Sequence, residues 1–362
     1  MSRSQMPDTL QQQRWPPVAD FAHIPPELQR FLGASGAEQQ AFLEGLRPTP
    51  EAHGRFIQDS LSFIYGYVFG YEDSPLYLRA DDALEEQLLR AKLRIEREML
   101  EHWLRPEPVP EGLEPEEACR YLQTLIRTNS GIYHPFFDYI RDQSSRPSML
   151  EFLELEVIRN EVVDDEVAFL VVGLQGEMKA TMAANLWDEC GNGRLEGFHT
   201  YWLRRLLRHT GRFEALRTYR DTQAPWFCKV TSNSYNMMAT RPGYKYRAYG
   251  SFLITESWVC AHFQRILAGL KRVGLAAPDV AVYFDSHVRI DPRHTHEMLQ
   301  AILRQQPRLS REQVRQILIG AHTAIAAGSA LYERAHRYFL SRDAEHAAAP
   351  TLSAGAAALQ SA

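Results

Sequence analysis

Several features that mark other classes of protein are missing from this chain of 362 residues. No apolar run approaches the roughly 20 residues of a membrane-spanning helix, and the N-terminal stretch MSRSQMPDTLQQQRWPP has no hydrophobic signal-peptide core. The net charge is -5, and no cluster of Lys and Arg offers a surface for nucleic acid. The four cysteines form no CxxC pair, as expected of reduced thiols. The sequence therefore predicts a cytoplasmic protein that binds neither a membrane nor nucleic acid.

The alternation of apolar and polar positions that marks β-strands is also missing, and so are internal repeats. Helical periodicity is found instead. In residues 82–104, Asp82 can cap the start of a helix and Pro106 follows its end. The apolar stripe of this segment consists of Leu88, Leu89, Ala91, Leu93, Ile95, Met99 and Trp103. This patterning predicts an all-α protein, most simply a helical bundle.

Changes in composition along the chain divide it into regions. The Pro- and Glu-rich stretch EPVPEGLEPEE predicts a linker that separates an N-terminal helical region, 21–110, from a larger helical domain, 111–343. The apolar stripes of the N-terminal helices need a partner surface, which predicts packing on the larger domain or on a second copy in a homodimer. Residues 1–20 are polar and interrupted by Pro, and residues 344–362 are low in complexity, so both segments are predicted to be disordered.

The segment YFDSHVRIDPRHTHEML holds a triplet, His287, Asp291 and His294, at helical spacing. Positions i, i+4 and i+7 of a helix lie within about 60° of one face. Imidazole and carboxylate groups together suit iron, manganese or zinc. The alternative role of the triplet is a charged helix face that is exposed to solvent. Pro292 predicts a kink, or a new helix that Asp291 caps. His296 falls on the opposite side and is not expected to be a ligand.

Three acids interrupt apolar helical faces, namely Glu156, Glu189 and Glu256. Burial of an unpaired carboxylate costs several kcal/mol, so each buried acid needs a cation or a metal ion. Taken singly, each of the three can also be a rim residue or an ion-pair partner.

His199 follows Glu189 by ten residues, which on an unbroken helix separates them by roughly 15 Å along the axis. Gly191 and Gly193 make an unbroken helix unfavourable there. A break at CGNG would permit the segment that carries His199 to return toward Glu189, although helical periodicity does not predict the pair.

Together, HPFFDYI, FLELE, VGLQGEMKATMAANLWDECGNGRLEGFH, a following helix with an isolated Glu, and HVRIDPRH resemble the haem-oxygenase-like diiron oxidases, a family of iron-containing redox enzymes. The resemblance covers roughly residues 116–340. It implies a haem-oxygenase-like helical bundle, with the first 110 residues as an N-terminal extension. In that family a helical core supplies carboxylates and a histidine, and a last helix adds His, Asp and His.

Carried over by position, the resemblance implies a set of metal ligands in which Glu189 bridges two ions. The set is Glu156, Glu189, His199, Glu256, His287, Asp291 and His294. Glu156 is the candidate from the first core helix, for which Glu161, Asp164 and Asp165 are competitors. Glu189, His287 and Asp291 are the predicted catalytic residues.

The resemblance further implies a non-haem diiron oxygenase or oxidase, with two Fe2+ ions and O2 as co-substrate. Its substrate would be a small amine, amino-acid or carboxylate-bearing metabolite, oxidised by N-oxygenation or oxidative C–C cleavage in the biosynthesis of specialised metabolites. An external electron donor is a possible partner. Arg289, Lys245 and Arg247 are the predicted contacts for the polar group of the substrate.

Two other classes of function remain open. One is a metal-independent enzyme of the same fold, thiaminase-like or engaged in cofactor synthesis. Such an enzyme has no need of the triplet His287, Asp291 and His294, which therefore speaks against it. The other is a non-catalytic helical binding protein whose acids are solvated.

Overall fold

The structure, a computed structural model, describes residues 24–70, 81–216, 219–220 and 223–348. Within these ranges the chain forms helices and no β-strand, which confirms the predicted all-α class. None of these helices has the length and the continuous apolar surface that a membrane span requires. The predicted disordered segment 1–20 lies outside the described residues, as do residues 349–362 of the predicted tail.

The described part of the N-terminal region is helical. It comprises α1 (Pro26–Gly33), α2 (Gly36–Leu46), α3 (Pro50–Val68) and α4 (Asp82–Glu98), which continues as a π-helical turn over Met99–Leu104. The cap of α4 is Asp81 and not the predicted Asp82, because the Asp81 side chain accepts the backbone N–H of Leu84 at 2.9 Å. An extended stretch between Leu104 and Pro115 follows, where the sequence predicts a linker.

The remaining helices form the bundle. They are α5 (Pro115–Thr128), α6 (Pro135–Asp142), α7 (Arg146–Asn160), α8 (Val163–Val171), α9 (Gly176–Glu189), α10 (His199–His209), α11 (Val230–Ala239), α12 (Lys245–Arg272), α13 (Pro278–Arg304) and α14 (Arg311–Ala348). Helix α14 continues past residue 343, so the first part of the predicted tail is helical.

Helix α12 lies at the centre of the bundle and packs against both α13 and α14. Two glycines permit its backbone to touch that of α14. A Cβ atom at Gly250 would lie 1.9 Å from the carbonyl oxygen of Ile317, and one at Gly320 would lie 1.8 Å from that of Arg247. No larger residue fits at either position without a shift of the helices, so these glycines fix where α12 lies.

The N-terminal helices pack on the bundle of the same chain. The side-chain amide of Asn233 in α11 donates to the backbone and side-chain oxygens of Gln58 in α3, at 3.1 and 2.9 Å. The Arg334 guanidinium of α14 lies over the rings of Trp103 and Trp226. Within one chain, Leu88, Ala91, Ile95 and Met99 of the predicted stripe are buried, whereas Leu89 and Leu93 stay exposed at 42% and 43%.

Candidate metal centre

Six of the seven predicted ligands converge in two groups inside the bundle. Each group offers three ligand atoms within 4.8 Å of one another, and all six side chains are buried. The first group is Glu189, His199 and His287, and the second is Glu256, Asp291 and His294.

The Gly-rich segment between α9 and α10 reverses the chain and returns His199 to Glu189. Helix α9 ends at Glu189, two short 3-10 turns follow, and α10 begins at His199. Gly191 has φ +56°, and a Cβ atom there would lie 2.3 Å from the backbone of Gly197. The tight reversal therefore requires glycine, and it closes the gap that an unbroken helix would leave.

In the first group, Oε2 of Glu189 and Nδ1 of His199 form a buried pair at 2.5 Å. Burial acts to lower the pKa of His199 but Glu189 raises it, so the two atoms share a proton that a bound cation would replace. His287 donates from Nδ1 to the carbonyl of Tyr283 at 2.6 Å, which leaves Nε2 for a ligand. Burial, and then the neighbouring His199, lower the pKa of His287 to about 3, so its imidazole is neutral as a metal ligand must be.

The triplet His287, Asp291 and His294, which contributes to both groups, lies on a single helix. Helix α13 runs unbroken from Pro278 to Arg304 with Pro292 inside it. The predicted restart at Asp291 is therefore wrong, and Asp291 does not cap a helix but lies in the core, 1% exposed. His296 is exposed on the other side of the helix, as predicted.

His294 links the second group to a residue that the sequence analysis did not select. Its Nδ1 lies 3.1 Å from Oε2 of Glu256, and its Nε2 lies 3.0 Å from Oδ2 of Asp188. Burial acts to lower the pKa of His294, but the two carboxylates outweigh it and raise the pKa to about 9. The pKa of Asp291 lies well above its ordinary value because of burial and of repulsion from Glu256 and Glu189.

The donor set fits metal ions. It contains three carboxylates and three imidazoles, a combination that suits iron, manganese or zinc. One of its buried atoms, Asp291 Oδ2, has no hydrogen-bond partner. No Lys or Arg of the described residues forms an ion pair with the three carboxylates, whose contacts are with histidines. Buried acids whose partners are only histidines can exchange the protons of those histidines for bound metal ions.

Glu156, the seventh predicted ligand, lies outside both groups. It is fully buried, and its carboxylate pairs with Arg159 at 2.5 Å, one helical turn away on α7. Glu161, a competitor for the same role, contacts Lys229 at 3.0 Å and Arg220. Both acids therefore have protein cations as partners, which removes the physical need for a metal ion.

Of the other two competitors, Asp164 lies near the first group and Asp165 is exposed. Oδ2 of Asp164 accepts from the Thr200 hydroxyl at 3.4 Å, directly after His199 in the chain. Burial, the adjacent Asp165 and, more weakly, Glu189 raise the pKa of Asp164 to about 6. Asp164 is thus the acid of these four whose side chain contacts the residue next to the ligand His199.

A cavity of about 140 Å³ opens onto both groups, because Glu189, Glu256, His287 and Asp291 are in its wall. Six aromatic side chains line the rest of the wall, namely Tyr235, Phe252, Trp258, Phe263, Tyr283 and Tyr332. Polar groups come from α7, α8 and α11, and include Arg159, Glu166 and Thr231. The stretch 232–250, rich in Tyr and Met, contributes Ser232 and Tyr235 to this wall.

The three cations predicted to contact substrate do not line this cavity. Arg289, Lys245 and Arg247 have other partners, which are Asp285, the carbonyl of Gly173 and Gln316, respectively. The cavity thus gives no support to that prediction.

Sequence reasoning missed Asp188 and Glu166. Asp188 precedes a selected ligand and gave no signal of its own, because its role depends on the position of His294 on a distant helix. Glu166 could have been found, since Val163 and Leu170 are three residues before and four residues after it on the same face of α8. An acid on that face interrupts an apolar pattern in the same way as the acids that were selected.

Comparison with known proteins agrees with this geometry. Residues 150–329, which contain all six residues of the two groups, match the family model described as iron-containing redox enzyme. No curated protein matches the sequence. Two crystal structures of a CADD-like protein of unknown function from Nostoc punctiforme PCC 73102 are similar in fold, with TM-scores of 0.51 and 0.50 at 12% and 11% identity. The matches cover 63% and 64% of this chain and 99% and 98% of that protein. The bundle has the haem-oxygenase-like fold, and residues 150–329 belong to the family of iron-containing redox enzymes.

Proposed function

We propose that this protein is a non-haem diiron enzyme that uses O2 to oxidise a small metabolite bearing an amine or a carboxylate. The observation that carries the proposal is the pair of buried ligand groups that share one cavity and have no Lys or Arg partner among the described residues. Carboxylate and imidazole donors suit Fe2+, manganese or zinc. The matched family of iron-containing redox enzymes favours iron among these metals.

The charges of the site support two ions rather than one. Glu189, Glu256 and Asp291 carry three negative charges when ionised, and Asp164 beside the first group adds a fourth. Two divalent cations would balance these four charges, whereas a single ion would leave half of them uncompensated in the interior. We propose Asp164, in place of Glu156, as the additional ligand from the first core helices.

When bound, two Fe2+ ions supply the redox chemistry with O2. The residues of the chain orient that centre and enclose it. The carbonyl of Tyr283 holds His287 with Nε2 free, and Asp188 accepts from Nε2 of His294. The aromatic wall keeps water away from the cavity and sets an upper limit on substrate size.

The number of electrons in the reaction determines when an external electron donor is needed. Insertion of one oxygen atom into an N–H bond takes two electrons from the substrate, whereas reduction of O2 to the level of water takes four. Two electrons must then come from an external donor. We propose such a donor for N-oxygenation, and we propose that the reaction serves the biosynthesis of a specialised metabolite.

Anaerobic titration of metal-free, full-length protein with Fe2+, followed by gel filtration and iron analysis, tests the proposal. The protein should bind close to two irons per chain and consume O2 on exposure to air. The variant His199→Ala should lose iron. Glu154→Gln is the matched control, because Glu154 is an equally buried acid that belongs to neither group and does not line the cavity. Iron at the background level in the wild type, or equal iron in both variants, would refute a diiron centre at these residues.

A further inference from the structure

The cavity beside the ligand groups contains a carboxylate that the proposed centre does not use. Glu166 in α8 lines the cavity, is 8% exposed, and has an Oε1 atom without a hydrogen-bond partner. It belongs to neither ligand group. A buried carboxylate with a free oxygen is unfavourable in an apolar wall, so its position calls for a partner that enters from the cavity.

The nearest protein cations already have partners. Lys229 is close enough to attract Glu166, but its ammonium contacts Glu161 at 3.0 Å, and it forms no ion pair with Glu166. Arg159, the cation of the cavity wall, pairs with Glu156 at 2.5 Å. The protein itself therefore leaves this carboxyl group without a cation.

The wall around Glu166 is suited to a cationic guest. Tyr235 donates from its hydroxyl to the backbone carbonyl of Glu166 at 3.2 Å, which holds its ring against this end of the cavity. Six aromatic side chains line the whole cavity, and aromatic faces attract ammonium groups as well as apolar ones. Thr231 adds a second buried oxygen without a partner.

We propose that Glu166 binds the ammonium group of a small amine, whose remaining atoms extend through the aromatic cavity toward the two ligand groups. The inference rests on the proposed function, since it names the substrate class of that same site. It selects substrates bound through their ammonium group over substrates bound through their own carboxylate. The cavity of about 140 Å³ admits a guest of roughly the size of a substituted benzene. Glu166 is thus a specificity-determining residue and not a metal ligand.

Calorimetric titration of anaerobic, iron-loaded, full-length protein tests the proposal without any turnover. The probes are butylammonium and benzylammonium, their neutral counterparts butanol and benzyl alcohol, and the anions butyrate and benzoate. At least one amine should bind, and should bind more tightly than its neutral and anionic counterparts. Glu166→Gln should weaken that binding by about tenfold to a hundredfold, the range expected for loss of a charge-assisted hydrogen bond.

Glu154→Gln is the control for the substitution, and it should leave amine binding unchanged because Glu154 does not line the cavity. Glu166→Asp keeps the charge but shortens the side chain, so it should bind amines more weakly than the wild type. This variant tests the inference if Glu166→Gln fails to fold. The inference is overturned if no amine binds, if the neutral or anionic counterpart binds as tightly, or if Glu166 variants bind like the wild type.

Iron analysis of the same samples separates this inference from the proposed function. Two irons per chain without selective amine binding would refute amine binding at Glu166 and leave the proposed diiron enzyme unaffected. Glu166-dependent amine binding in protein that takes up no iron would instead remove the diiron enzyme and leave an amine-binding cavity.

Discussion

Replacement of Asp291 by Asn should change stability in opposite directions in the metal-free and the iron-loaded protein. The Asp291 side chain is 1% exposed, and its Oδ2 has no hydrogen-bond partner. Without metal, burial and the nearby Glu256 and Glu189 disfavour its charged form. Asn has nearly the same shape and no charge. We therefore expect the variant to be more stable than metal-free wild type at pH 7, by on the order of 1–3 kcal/mol.

In the iron-loaded protein the same substitution removes an anionic ligand. Ligand binding stabilises the folded state by RT ln(1 + [L]/Kd), so a thousandfold loss of affinity for one ion costs about 4 kcal/mol at ligand concentrations far above Kd. The variant should then be less stable than the wild type, and it should retain only one of the two irons per chain.

Urea unfolding at pH 7, with and without Fe2+ under anaerobic conditions, measures both effects. The pH dependence adds a check on the cause. Because the pKa of Asp291 is raised in the folded state, the metal-free wild type loses stability as the pH rises above the ordinary value of 3.8, and the variant does not. The advantage of the variant should therefore grow between about pH 4 and pH 7.

Asp285→Asn, an exposed position on the same helix, is the control and should have little effect in either state. An effect of Asp291→Asn with the same sign in both states would refute the account. So would a stabilisation of the metal-free protein that does not depend on pH.

Four other changes have expected outcomes. Glu189→Ala should lose both irons in the Fe2+ titration, because a bridging carboxylate serves both ions; one retained iron would show that Glu189 serves a single ion. Amide exchange in residues 284–300 should slow when Fe2+ binds, since metal binding also orders its ligands, and equal protection in both states would show a rigid helix. Gly320→Ala should lower the free energy of unfolding by about 2–3 kcal/mol through overpacking, whereas Gly45→Ala, with open space around its Cβ position, should raise it by about 0.5–1 kcal/mol; equal effects would contradict the close approach of α12 and α14. Burial raises the pKa of Glu154 to about 7, so the wild type should lose about 3 kcal/mol as the pH rises from 4.5 to 7, and Glu154→Gln should flatten that dependence; parallel pH profiles would show that Glu154 is solvated.

Local patterns in the chain determined the all-α class and the sites of the long helices. The stripe in residues 82–104 and the prolines after it predict a helix that the structure has at Asp82–Glu98 with its π-helical turn. The triplet on α13 belongs to the same class of signal, because residues four and seven positions apart share a face in any continuous helix. Pro292 does not interrupt α13, so the predicted new helix capped by Asp291 is not formed, and the predicted kink stays a prediction.

Tertiary structure decided which of the candidate acids lies beside the ligand groups. Helical periodicity places Glu156 on an apolar face of α7 as convincingly as it places Glu256 on α12. Glu156 pairs with Arg159 three residues later on its own helix, whereas only the packing of the helices brings Asp164 to Thr200 beside the first group. A pattern within one helix states which face is buried, but it contains no information about the side chain that the face will meet.

The pair of Glu189 and His199 shows the same division at a single turn. The sequence determined that a helix cannot continue through CGNG, because glycine there favours conformations outside the helix. Where the chain goes after the break depends on the contact between Gly191 and Gly197 and on the packing of α10 against α13, which brings His199 to His287. Contacts between residues distant in the sequence set this direction, so the ligand groups exist only once the bundle is assembled.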